Sequence, residues 1–293
     1  MRVPNVGSFL RNTLTNIPLH LRSFRLNLKN RWSSAPLCHP DGPTLSLTTY
    51  GSRLKHVHTV IESIAEGRVL PSRFMLYLDV ERDVEQPTRQ LRRLKRRGLE
   101  IHLAENLGPH TKIQWWVQNG TFDRPHVVAD DDILYPKWWL KRIGEEAVNS
   151  PDVVLAYRAH RMVLNTEGTA LTPYASWPPG VSEPSHLNFA TCVSGVLFPP
   201  SFLQIMREAG DGFRATTPRN DDLWLTFLGI QHGVPIGLVT GESIHFDVLP
   251  GSQGETLNST NVFEGGNDHQ LAQTFQPETY ARLMEAEKAL GWR

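Results

Sequence analysis

The sequence predicts an α/β fold: a mainly parallel sheet flanked by helices. Three observations predict it. A short apolar run, Val127 to Ala129, stops at three carboxylates, Asp130, Asp131 and Asp132. Runs of that length bounded by polar residues read as buried parallel strands. Upstream of it, β-rich runs and segments of helical spacing alternate in the order β-α-β-α-β-α-β, the pattern of a parallel, Rossmann-like sheet. The runs also end in polar residues, where ligands of open α/β sheets bind.

Each element follows from local chemistry. Ser33 to Pro43 reads as a loop by its Ser, Pro and Gly content. Thr44 to Tyr50 is the first strand and leads into Gly51-Ser52-Arg53. Leu54, Val57, Val60, Ile61 and Ile64 keep helical spacing until Gly67 and Pro71. Arg73 to Asp79 is the second strand. Pro87 opens a helix with Leu91 and Leu94 on one side and Arg89, Arg92, Arg93, Lys95, Arg96 and Arg97 around the rest. That charge run reads as a solvated face, or as a surface for an anionic acceptor or lipid. Leu99 to Leu103 is the third strand. Asn106 to Lys112 turns into a helix through Ile113, Trp115, Trp116 and Val117. After the fourth strand, Tyr135-Pro136 is expected to open a helix packed by Trp138, Trp139, Leu140 and Ile143. Right-handed crossovers bring Tyr50 to Arg53, Asp79, Lys112 and Asp130 to Asp132 to one edge.

The second half has shorter signals. Val153 to Tyr157 and Arg161 to Leu164 read as strands, Leu171 to Ser185 as a long loop, and Phe189 to Phe198 as one buried strand closed by Pro199-Pro200. Asn220-Asp221-Asp222 opens a helix, Val234 to Val239 is a strand, and Ser243 to Phe246 is expected to be the last. A polar segment from Gly251 to His269 precedes a helix from Pro277 to Leu290. There is no internal repeat and no dividing linker. The expected organisation is a basic N-terminal arm, 1–40, and a single catalytic domain, 41–293, with halves at about 44–132 and 133–276.

Composition bounds the class. The 293 residues are 40% hydrophobic and 20% charged with formal net charge +0, an ordinary globular balance, and no nucleic-acid partner is expected. Two unpatterned cysteines, Cys38 and Cys192, argue against a disulfide framework or zinc site and suit a reducing compartment. No run is long enough to cross a membrane. Residues 1–40 hold Arg2, Arg11, Arg22, Arg25, Lys29 and Arg31 and no Asp or Glu. Pro18, His20 and Arg22 interrupt any signal-peptide core. This arm reads as a contact for an anionic membrane or a partner, or as an irregular tail. The expected location is cytoplasmic, and peripheral on the inner face of the membrane if the arm is a membrane contact.

Three adjacent carboxylates repel one another unless cations neutralise them, and hard oxygen ligands suit Mg²⁺ or Mn²⁺. The alternative is an acidic turn at a helix start. Asp221 and Asp222 read either as a catalytic base pair or as a helix cap favoured by the dipole. His245 reads as a core histidine or as an imidazole ligand better suited to Mn²⁺. Trp177 reads as a stacking platform for a sugar or as packing. G-x-G-x-x-G, G-x-x-x-x-G-K and G-x-S-x-G motifs are absent, so dinucleotide, P-loop and serine-hydrolase chemistry have no motif.

Together these residues resemble glycosyltransferases of the GT-A fold, in the family 2-like group of bacterial polysaccharide type, over about residues 44 to 270. The run into Asp130-Asp131-Asp132 resembles that fold's Asp-x-Asp motif. Leu47 to Arg53 is similar to its first strand and nucleotide-binding loop, Gly108 to Lys112 to the segment before the metal strand, and Cys192 to Pro200 to the acceptor-side strand. Asp221-Asp222-Leu223-Trp224 resembles the acidic pair that supplies the base, here Asp-Asp where many members have Glu-Asp. The resemblance implies a mixed, mainly parallel sheet and transfer of a sugar from a nucleotide-sugar donor to a glycan, polysaccharide or lipid-linked acceptor, with inversion. It implies Mn²⁺ or Mg²⁺ on Asp130, Asp132 and His245. Donor contacts would be Thr49, Tyr50, Arg53, Asp79, Lys112, Asp130 and Asp131, and the base Asp222 or Asp221. The competing classes are a sugar-phosphate nucleotidyltransferase, for which Gly51 is a poor phosphate loop, and a non-catalytic nucleotide-sugar binding protein of the same fold.

Overall fold

The structure is a computed structural model that describes residues 6–252 and 266–292, with side chains from residue 17 onward. The start of the basic arm and most of the polar segment after Gly251 lie outside the described residues. The strands are β1 (Thr44–Thr48), β2 (Arg73–Leu78), β3 (Leu99–Leu103), β4 (His126–Val128), β5 (Val154–Ala156), β6 (Ala159–Arg161), β7 (Asn188–Ala190), β8 (Val196–Phe198) and β9 (Ile236–Leu238). The helices are α1 (Val6–Trp32), α2 (Val57–Ile64), α3 (Glu81–Glu85), α4 (Arg89–Lys95), α5 (Thr111–Asn119), α6 (Trp139–Asn149), α7 (Pro200–Ala209), α8 (Phe213–Thr216), α9 (Asp221–His232), α10 (Gly266–Thr274) and α11 (Pro277–Ala289).

Seven strands form one sheet in the order β3-β2-β1-β4-β8-β5-β9. All pairs are parallel except those of β8, which runs antiparallel to both β4 and β5. This is the mixed, mainly parallel α/β architecture expected. Period-two alternation feeds two cores. Phe74, Leu76 and Leu78 pack under α2, α4 and α6, while Met75 and Tyr77 pack against α5 and α7. β6 and β7 pair separately, and a third cluster sits beneath β7, α9, α10 and α11. The chain leaves β1 for β2 on one side and returns to β4 on the other. The crevice between the carboxyl ends of β1 and β4 is therefore the topological switch point, where such sheets bind ligands.

Several boundaries differ from expectation. Tyr135-Pro136 does not open α6, which starts at Trp139. Tyr135 is instead buried: its N–H donates to Ser63 Oγ (3.1 Å), and its hydroxyl accepts from the Asp130 N–H (2.8 Å). Residues 189–198 are not one strand. A 3-10 turn, Cys192–Ser194, and Gly195 at φ 96° separate β7 from β8, a conformation glycine adopts without strain. The Arg161–Leu164 strand is displaced to Ala159–Arg161. Ser243 to Phe246 forms no strand. That segment crosses back over the carboxylate turn, with Leu134 N–H on Asp247 O (2.8 Å) and Leu249 N–H on Asp132 O (2.7 Å). The basic N-terminal segment is helical from Val6 to Trp32, and its Leu26 is fully buried in the first core. Arg97 is not part of a solvated face: it is buried in an ion pair with Glu62.

Candidate functional site

Two cavities meet at the switch point. The first, about 310 Å³, is lined by Thr49, Tyr50, Arg53, Asp79, Lys112, Asp130 and Asp131, together with Asn106 and Gly108. The second, about 350 Å³, is lined by Asp130, Asp132, Asp221, Asp222 and His245, with Arg158, Tyr174, Thr191, Cys192 and Arg219. Tyr50, Arg53, Lys112 and Asp130 border both. All the residues singled out from the sequence except Trp177 therefore line one or both spaces.

The carboxylate turn follows β4 directly. Asp131 points inward, accepting from Thr49 Oγ1 (2.5 Å) and Arg53 Nη1 (2.8 Å). This ties the loop after β1 to the loop after β4. Asp130 meets Lys112 Nζ at 2.7 Å, and Asp132 lies 3.4 Å from Arg53. Burial, then the neighbouring Asp130, pushes the Asp132 carboxyl up to about 6 against the pull of Arg53. Burial raises Asp131 too, with Arg53 and Thr49 opposing. Asp79 ends β2 and accepts from Asn106 Nδ2 (2.6 Å). The Tyr50 ring, partly exposed, lies 5.9 Å from the Arg53 guanidinium.

The second acidic pair is held differently. Asn220 caps α9, its side chain accepting from Leu223 N–H (2.9 Å). Asp221 and Asp222 are thus the first two helical residues rather than the cap. Asp222 Oδ1 accepts from the Cys192 N–H (2.9 Å). Asp221 Oδ2 lies 3.2 Å from Lys112 Nζ, an ion pair without hydrogen-bond alignment. Buried Lys112 therefore bridges Asp130 and Asp221, joining the two acidic clusters. Burial alone would lower Lys112, but Asp130 and Asp221 outweigh it and hold it charged. Burial would raise Asp221, but Lys112 and then His110 keep it below the usual carboxylate range. Asp222 makes no ion pair of its own, and burial together with ionised Asp221 raises it against the pull of Lys112 and the Cys192 N–H. The pair splits into one ionised and one protonatable acid.

His245 is exposed rather than in the core, with Nδ1 on the carbonyl of Phe246 (2.7 Å). A carbonyl only accepts, so the neutral ring carries its proton on Nδ1. Trp177 is a packing residue: it is buried between Tyr174 and Phe189, and its Nε1–H donates to Thr172 O (2.9 Å). Tyr174 reaches the cavity instead.

Asp130 and Asp132 offer hard oxygens and His245 an imidazole, a donor set that suits Mn²⁺ or Mg²⁺. Charge points the same way. The three carboxylates of the turn face Arg53 and a Lys112 shared with Asp221, so a cation fits there. The ligand atoms of these three residues are not gathered as closely as those of Cys192, Asp221 and Asp222, which lie within 4.8 Å of one another. In that second group the thiol is pushed well up by burial and the two aspartates, Asp222 holds a backbone N–H and Asp221 holds Lys112. It reads as a proton-handling group rather than a metal centre.

Arg158, Asn106, Thr191 and Arg219 were not foreseen, and Cys192 was read only as the start of an acceptor-side strand. Arg158 sits in the connection between β5 and β6, and its Nη1 donates to Thr191 Oγ1 (2.9 Å). The signals that this region is functional were the length of the Leu171–Ser185 loop and the resemblance of Cys192 to Pro200 to an acceptor-side strand.

No family model matches the chain, and no curated protein matches it in sequence. Among solved structures it is similar to 4-diphosphocytidyl-2C-methyl-D-erythritol synthase, at 11% identity and TM-score 0.40, covering 84% of this chain and 99% of that one. It is similar to GalNAc-T7 with UDP, GalNAc and Mn²⁺, at 10% identity and TM-score 0.47, over 83% of this chain and 48% of that one. The synthase from Anaerococcus prevotii DSM 20548 matches at 10% identity and TM-score 0.42, over 78% and 96%. At these values the likenesses carry no argument about reaction or ligand.

Proposed function

We propose that the chain is a metal-dependent, inverting glycosyltransferase of GT-A type, moving a sugar from a nucleotide-sugar donor to a glycan, polysaccharide or lipid-linked acceptor. The observation that carries this reading is the junction of two cavities at Lys112 and Asp130, with a buried acid pair of split protonation lining the second. The nucleoside fits the first cavity, with Asp79 and Asn106 for its hydroxyls and Tyr50 for its base. The diphosphate fits the border, where Arg53 and Lys112 supply positive charge. The sugar and acceptor hydroxyl fit the second cavity.

The reaction develops negative charge on the leaving diphosphate and releases a proton from the acceptor hydroxyl. A divalent Mn²⁺ or Mg²⁺ held by Asp130, Asp132 and His245 supplies charge stabilisation when bound. Arg53 and Lys112 add fixed positive charge at the same border. The acceptor oxygen attacks from the face opposite the diphosphate, so its base stands across the sugar. Asp222, which lines the second cavity, accepts that proton in its ionised form. Asp221 and Lys112 set its charge environment.

The test is incubation with a panel of nucleotide sugars and Mn²⁺, scoring nucleotide release. The expected result is release that EDTA and Asp130→Ala or Asp132→Ala abolish while the fold survives. Full turnover in EDTA removes the metal from the proposal. Consumption of a nucleoside triphosphate and a sugar phosphate with pyrophosphate release establishes the nucleotidyltransferase instead. Nucleotide-sugar binding without either reaction leaves a binding protein.

A further inference from the structure

The outer face of α1 is apolar. Ile17, Leu21, Phe24, Leu28 and Trp32 are exposed, Leu21 and Phe24 at 63% each and Trp32 at 74%. Their spacing of three and four residues puts them on one face. The opposite face is fastened to the body. Leu26 is buried, Asn30 Nδ2 donates to Glu62 (3.3 Å), and Arg22 donates to the carbonyls of Leu134 (3.3 Å) and Tyr135 (2.5 Å). A surface helix normally turns its apolar stripe to the core and its charges outward; α1 bonds polar groups inward and leaves apolar ones outside.

The C-terminal end of α1 rests on α4 through its inward-facing Asn30, and the Trp32 end of the stripe comes near the charge run there. Asn30 Nδ2 donates to Gln90 O, and Arg93 Nη1 donates to Asn30 Oδ1, both at 3.4 Å. Arg89, Arg92, Lys95 and Arg96 are exposed, and Arg31, stacked at 5.0 Å over Trp32, faces the same neighbourhood as Arg93. Two segments 60 residues apart in sequence thus meet, and exposed cations of α4 gather with Arg31 at the Trp32 end of the apolar stripe.

We propose that this surface docks on an anionic lipid bilayer, α1 lying in the headgroup plane by its apolar stripe and α4 meeting the anionic headgroups. Among the described residues no helix is long and apolar enough to cross a membrane, so the contact is lateral. Phe and Trp are suited to headgroup depth, and clustered Arg and Lys are drawn to an anionic surface. A second copy of the chain is the weaker occupant. Paired helices draw their specificity from opposite charges beside the seam, and residues 1–40 contain no acid, so two copies of α1 would face each other with like charges.

The test is flotation of the full chain with phosphatidylcholine vesicles, with and without phosphatidylglycerol, at low and high salt. The expected result is flotation only with phosphatidylglycerol, reversed by salt. Leu21→Ser with Phe24→Ser, and separately Arg92→Glu with Arg96→Glu, each lower partitioning by about tenfold or more. These side chains are exposed, so far-UV circular dichroism and Tm stay at wild-type values. Absence of flotation at low salt overturns the proposal, as does equal flotation with phosphatidylcholine alone. A dimer in sedimentation equilibrium that the Leu21/Phe24 variant dissociates also overturns it and assigns the stripe to a second copy.

Discussion

The two acidic clusters contain the same residue type and are opposite in physical design. Asp130, Asp131 and Asp132 sit on a turn at a strand end, facing Arg53 and Lys112. Asp221 and Asp222 are buried in the first turn of a helix, where only one of them has a cation. The first arrangement gathers negative charge that a cation can take up. The second separates two acids into different protonation states. Function follows from which neighbours each carboxylate is given, and the residue type alone does not decide it. Lys112 belongs to both clusters, so it is the place to break the comparison.

Replacing Lys112 with Met keeps volume and removes the shared charge. Asp130 and Asp221 then lose their buried partner, and breaking a buried pair costs about 3–5 kcal/mol. The expected outcome is a loss of that size in urea unfolding. Asp221 also rises, because the cation that opposes its burial is gone, and Asp222 loses the weaker pull of the same charge. Unchanged stability would mean that Lys112 is not the link between the clusters.

A smaller effect falls on one cluster alone. Asp222→Asn keeps shape and the acceptor oxygen for Cys192 N–H but removes basicity. The expected kcat falls by about 10²-fold or more, equivalent to about 2.7 kcal/mol, with donor affinity unchanged. NMR of the product should give the inverted anomer in the wild type. A retained configuration, or near-normal kcat in both Asp222→Asn and Asp221→Asn, would reduce the pair to a structural role.

The contrast was legible in part from the sequence. Val127 to Asp132 marked both the strand and the carboxylate turn that lines the two cavities, because an apolar run that ends in carboxylates has few other physical solutions. Thr49, Arg53, Asp79 and Lys112 followed from the βα order, since parallel strands end on one edge. The second half was harder to read because its strands are three residues long, too short for periodicity to settle. Arg158 and Thr191 meet only through the small sheet β6–β7, a pairing no local pattern encodes. Cys192 offers its backbone N–H, which any residue other than proline has, so residue type carried no signal. His245 looked like a strand histidine, and only the return of residues 243–249 over the turn brings it to Asp130 and Asp132.

The smallest effect sharpens the comparison through pH. Burial, and then Asp221, raises Asp222 from its ordinary 3.8 to about 7. The folded state thus binds this proton more tightly than the unfolded state. As pH rises above the ordinary value, the unfolded chain releases its proton first, so stability attributable to Asp222 falls through the window from 3.8 to about 7 and stays low above it. Asp221 has the opposite sign. Its folded value lies below the ordinary one, so it contributes stability above 3.8 that is lost as pH falls through the lower value. Asn in place of Asp222 removes a buried charge that lacks a cation, whereas Asn in place of Asp221 strips Lys112 of a partner. At pH 8, Asp222→Asn should therefore raise Tm by a few degrees and Asp221→Asn should lower it. The Asp222→Asn difference should shrink on acidification towards the ordinary carboxylate range. Thermal unfolding of the three proteins across that range measures it. A Tm gain for Asp222→Asn that is independent of pH would show that Asp222 is not the acid carrying the raised value, and the assignment of base and partner would have to be exchanged.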